Sequence, residues 1–93
     1  MDENLKKSFK EVINALKKDL IDTFQNGAVE GCRGLVTEEA MAGAMRIFSE
    51  LIGCVKAFKS IGYFETEDEA YEFAKNVYTD SYNIAMGLDM KGN

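Results

Sequence analysis

Six acids stand between Glu65 and Asp80: Glu65, Glu67, Asp68, Glu69, Glu72 and Asp80. One base, Lys75, lies among them. The net charge of the chain is -5, so this stretch carries all of it and the remainder balances to zero. Paired carboxylates can do hydrolytic work, contribute to a carboxylate–histidine metal site in a helix bundle, or meet a basic partner. The first two need more than acids. Hydrolysis needs a carboxyl whose pKa is raised by burial, and none of these acids falls on an apolar face. Glu50, on the polar side of an otherwise apolar segment, comes nearest. The metal site needs histidine, and the chain has none. Histidine triads and histidine-ligated zinc are excluded on the same ground. No enzyme, no cofactor and no metal are therefore expected.

The acids read better as a contact face. Tyr71, Tyr78 and Tyr82 lie in or just beyond the same stretch. Tyrosine offers a large rigid area with a polar tip, which suits an interface. The expected partner-binding residues are Glu67, Asp68, Glu72, Tyr71, Tyr78 and Tyr82, and the expected partner is a basic protein. Helix capping gives the acids a second explanation, because most fall near a helix start where the dipole favours them. Capping alone does not require Glu72 or Asp80. The tyrosines have a second explanation as well, as rings covering the edge of a helical core.

Two other groups carry chemistry. Gly27, Gly31 and Gly34 flank Cys32 and Arg33. Glycine-rich backbone can cradle phosphate and Arg33 could grip an anion. Yet the G-x-x-x-G-x-x-G spacing matches neither nucleotide-binding fingerprint, and no strand precedes it. A flexible connector is the simpler reading. Arg33 and Arg46 are kept as the ligand-gripping pair of an alternative, an oligomeric protein that binds or sequesters an anion or nucleotide at a subunit interface. The second group is Lys6, Lys7, Lys10, Lys17 and Lys18. Asp2, Glu3, Glu11, Asp19 and Asp22 neutralise them within the same segment, so direct DNA binding is not expected.

Three helices must position these residues. The apolar residues Leu5, Phe9, Val12, Ile13, Leu16, Leu20, Ile21 and Phe24 recur as one helical stripe. This predicts a helix over 2–26, ended by Asn26-Gly27 with glycine in a left-handed cap. Thr37 is a good N-cap with Glu38 and Glu39 after it, so a second helix runs over 37–61 and stops at Gly62. It has two apolar stripes, Met41, Met45, Phe48, Ile52 and Val55 beside Ala44, Ile47, Leu51, Cys54 and Phe58. A helix apolar over most of its girth is buried between neighbours. Gly43 and Gly53 would let a second backbone come close. Thr66-Glu67-Asp68-Glu69 fits a capping box, and a third helix runs over 66–88, with the tail beyond it frayed.

The 93 residues thus form one domain, an all-α three-helix bundle with the second helix in its centre and mostly buried. The hydrophobic share of 46% is that of a globular chain. No apolar run approaches a membrane span and no leader pattern opens the chain, so a cytoplasmic protein with reduced Cys32 and Cys54 is expected. The surplus apolar surface of the second helix predicts a homodimer or higher oligomer. Small acidic helical proteins of this kind include phage and mobile-element inhibitors of host nucleic-acid machinery, anti-CRISPR proteins among them. The functional expectation is an interaction protein that binds and blocks or modulates another macromolecule. A structural assembly module is a further alternative.

Overall fold

The computed structural model describes residues 3–88. Position 2 and the expected frayed tail lie outside them. Three helices follow in order, α1 (Glu3–Asn26), α2 (Glu38–Ser60) and α3 (Glu67–Met86), and each packs against both others. The all-α three-helix bundle is as the periodicity predicts. No helix among the described residues is long and apolar enough to cross a membrane.

The helix ends follow from local chemistry. Thr37 and Thr66 are N-caps whose hydroxyls accept from the Ala40 and Glu69 amides, both at 3.1 Å. Ile61 and Gly87 are the C-caps, so α2 and α3 end earlier than expected, at Ser60 and Met86. Both ends close the same way. Gly62 and Gly87 have φ of 92° and 68°, a region that costs glycine nothing. At the end of α2, Gly62 N donates to Lys59 O and Tyr63 N to Phe58 O. At the end of α3, Gly87 N donates to Ile84 O and Leu88 N to Asn83 O. These are paired Schellman bonds. The Tyr63 ring lies 6.1 Å from that of Phe58, the apolar contact that accompanies the motif.

Gly27 departs from expectation. Its φ is not left-handed. What the position requires is room, because a Cβ there would lie 2.1 Å from the Cβ of Ala40. The connection after it is no open linker either. Ala28 and Val36 form an isolated antiparallel bridge, Val29 N donates to Leu35 O at 2.9 Å, and Thr37 N donates to Gly27 O at 2.8 Å. Residues 27–37 form a small closed hairpin.

The core has two aromatic ends. Phe9 is 1% exposed, and its ring centroid lies 4.5 Å from Phe58, 4.3 Å from Tyr63 and 5.6 Å from Phe73. Phe64, from the α2–α3 connection, completes this end. At the other end Phe24 meets Tyr78 at 5.6 Å and Tyr82 at 5.3 Å. α3 buries Ala70, Ala74, Val77 and Ser81, the first three in the same core cluster as Phe9, Phe24 and Phe64. The buried Ser81 hydroxyl donates to Val77 O at 2.7 Å, so it carries no desolvation penalty.

α2 is not a wrapped centre. It buries Ala40, Ala44, Leu51 and Val55, no more residues than α1 or α3 buries. In a triangular bundle every helix keeps one face outward. Met41 and Met45 are 43% and 49% exposed, and Gly53 faces open space with nothing near it.

Candidate interaction surface on α2 and α3

The expected contact residues occupy two faces of α3. Residues four apart share a face, and Asp68 and Glu72, with Glu69, line a shallow depression against Phe64, Phe73 and Asn76. All three carboxylates are exposed. Glu67 is exposed one turn before Tyr71. Glu72 lies 3.6 Å from Lys75, a solvated pair that adds little to stability. The same Lys75 ammonium stands 5.8 Å from the Tyr71 ring centroid, so it marks the boundary between the acids and the tyrosines.

On the other face, Tyr71 is 48% exposed and rests edge-on against Phe48 at 6.4 Å. Tyr78 is half-buried between Phe24 and Phe48, with centroids at 5.6 and 5.0 Å. Its hydroxyl lies 3.7 Å from Met41 Sδ and 3.8 Å from Met45 Sδ. Sulfur is a weak acceptor, so these contacts place the methionines more than they bind them. The result is a patch of two thioethers and two phenol rings. Sequence periodicity placed Met41 and Met45 in the core and missed them as surface. The available signal was their type, since methionine is over-used where a surface must adapt to a partner.

Burial pushes the Tyr78 phenol above the ordinary value of 10.0. The unfolded chain then ionises first as pH rises. The stabilising contribution is whole below pH 10.0 and is lost as pH climbs towards the raised folded value. Tyr78→Phe should therefore flatten the fall of unfolding free energy at alkaline pH. Chemical unfolding of both proteins across that range checks this. Parallel curves would place the ionisation elsewhere.

Tyr82 and Arg33 serve the fold. The Tyr82 hydroxyl donates to Gly34 O. The Arg33 guanidinium donates to Gly87 O at 3.1 Å, at the negative end of α3. Together they fasten the hairpin to the end of α3. Arg46 is exposed on α2, two residues and so about 200° round from the buried Ala44. The contact that Arg33 makes is with Gly87, not with Arg46. Cys32 is exposed and Cys54 half-buried, both as free thiols, and burial raises the Cys54 pKa. Among the described residues no three His, Cys, Asp or Glu side chains gather as a metal site.

Comparison with protein families, with curated proteins and with solved structures finds no match to this chain.

Proposed function

We propose that this chain is a small acidic interaction protein that binds a basic protein through the α2–α3 surface and blocks or modulates it. The observation that carries this reading is the exposed Met41, Met45 and Tyr71 patch beside the exposed acids Glu67, Asp68 and Glu72. Rigid tyrosine and adaptable methionine supply contact area, while the acids steer a positively charged partner and reject nucleic acid. A phage or mobile-element inhibitor acting in the cytoplasm on host nucleic-acid machinery fits this chemistry, because such machinery carries basic surfaces that an acidic protein can occupy. Self-association through α2 would use the same methionines, so a second copy and a partner would compete for them. A ligand site built on Arg33 is less favoured, since Arg33 already caps α3.

The test is affinity capture from host lysate with two baits, the wild type and the triple variant Glu67→Lys, Asp68→Lys, Glu72→Lys. All three positions are exposed, so no core contact is lost. Glu67 and Asp68 do lie in the first turn of α3, where the dipole favours acids, so the variant serves as bait once circular dichroism and thermal unfolding show it folded. The expected result is one defined basic protein on the wild type and none on the variant. The same protein on both baits refutes the acidic face as the contact.

A further inference from the structure

We propose that a cleft between α1 and α3 binds a small aromatic carboxylate, with Lys10 and Asn14 receiving the carboxylate over a floor of aromatic rings. The cleft has a volume of about 240 Å³ and is lined by Phe9, Lys10, Ile13, Asn14, Tyr63 and Phe73. It shares Phe73 with the acidic depression on α3 but involves none of Met41, Met45 and Tyr71, and it does not rest on the function proposed above.

The lining divides by chemistry. Phe9 is the buried floor. The Tyr63 and Phe73 rings are half-buried, 4.3 and 5.6 Å from Phe9, and form the walls. An aromatic ring is the apolar group that such a ring-lined cleft complements best. The rim is polar. Lys10 and Asn14 are one turn apart on α1 and both are exposed. Neither makes an ion pair or side-chain hydrogen bond among the described residues. Lys6 and Lys75 are paired with Glu3 and Glu72, whereas Lys10, like the remaining lysines of α1, is in no ion pair among the described residues. An ammonium and an amide at the mouth of an aromatic cleft are donors that complement one carboxylate.

Size limits the ligand. A buried cavity of about 150 Å³ holds benzene in another protein, and drug-sized ligands need roughly 300 Å³ or more. The volume here suits one ring with one carboxylate. Asp68, Glu69 and Glu72 lie across Phe73 and oppose an anion, so the titration belongs at about 0.15 M salt, where charges beyond roughly 8 Å are screened.

Benzoate is the probe, followed by amide NMR on isotope-labelled full chain. The expected result is saturable shifts at Lys10, Ile13, Asn14, Tyr63 and Phe73, with a Kd of about 1 mM or tighter. Lys10→Met keeps the apolar stem and should weaken binding about tenfold. Benzamide, equal in shape and uncharged, should bind the wild type as weakly as benzoate binds the variant. No saturable shift up to about 10 mM overturns the proposal. So does benzamide matching benzoate, or Lys10→Met binding benzoate as the wild type does. Movement of the same amides on dilution without benzoate assigns the cleft to a second copy, which also overturns it.

Discussion

Phe9→Ala is expected to lower the unfolding free energy by about 3–5 kcal/mol. Phe9 is the residue on which α1, α2, α3 and the α2–α3 connection converge. Its ring lies within 6 Å of Phe58, Tyr63, Phe64 and Phe73. Truncation removes the transfer free energy of the ring and leaves a void that four other rings must collapse to fill. They are held by different elements, so collapse is incomplete. A domain of this size holds roughly 5–14 kcal/mol in total, so the variant keeps a small margin. Urea unfolding followed by circular dichroism measures the loss. Phe9→Leu keeps most of the volume and should lose about 1–1.5 kcal/mol, which covers the case in which the alanine variant does not fold. A loss under about 1.5 kcal/mol for alanine would mean that this end of the bundle repacks freely. Leu5→Ala on the same stripe should cost less than about 0.5 kcal/mol, because Leu5 is already 42% exposed.

The contrast between Phe9 and Leu5 shows what periodicity can and cannot say. The spacing of apolar residues located α1, since the stripe contains all four of its buried residues, Phe9, Ile13, Leu20 and Phe24. It could not say how wide a strip of that stripe its neighbours would cover, and Leu5 and Val12 fall outside it. The same limit explains α2. Two adjoining stripes read as a helix surrounded by others, but α1 and α3 together cover only one arc of it. The burial of Ala40, Ala44, Leu51 and Val55 fixes that arc, and Met41 and Met45 lie beyond it. Most caps were legible because they depend on nearest neighbours, whereas the left-handed cap expected at Gly27 is not formed. Thr37, Thr66 and Gly62 stand where the residue types place them. Gly87 carried the same signal as Gly62 and ends α3 in the same way.

The candidate surface was legible in composition and not in geometry. Charge counting picks out Glu67, Asp68 and Glu72 without any fold. It cannot divide α3 into an acidic depression and a tyrosine–methionine patch, because that division depends on which arc faces the other helices. The small residues Ala70, Ala74 and Ser81 face inward and fix it. Tyr82 and Arg33 were chosen for what their groups can do in isolation. Their partners, Gly34 and Gly87, are 48 and 54 residues away in the chain, and no local pattern announces such bonds.

Gly27 carries the second large prediction. Its amide donates to Thr23 O at 3.1 Å in the last turn of α1, and its carbonyl accepts from Thr37 N at the start of α2. The residue therefore sits where the two helices are drawn together, and Ala40 on the first turn of α2 presses on it. A Cβ at position 27 would stand 2.1 Å from the Ala40 Cβ, far inside the roughly 3.5–4.0 Å at which carbons touch. Neither atom can swing away, because each Cβ is fixed by its own backbone. The corner must open instead. Gly27→Ala should cost about 1–3 kcal/mol, or several degrees in Tm for a domain of this length. Ala40→Gly removes the opposing carbon and carries its own helix-propensity cost of roughly 1 kcal/mol. In the Gly27→Ala background that second change should restore stability rather than lower it further. The double variant should then be more stable than the sum of the singles predicts, by a coupling of about 0.5–3 kcal/mol. Thermal and urea unfolding of the four proteins reads this directly. Strict additivity would mean that the two helices separate elsewhere and that the Gly27–Ala40 approach does not set the corner.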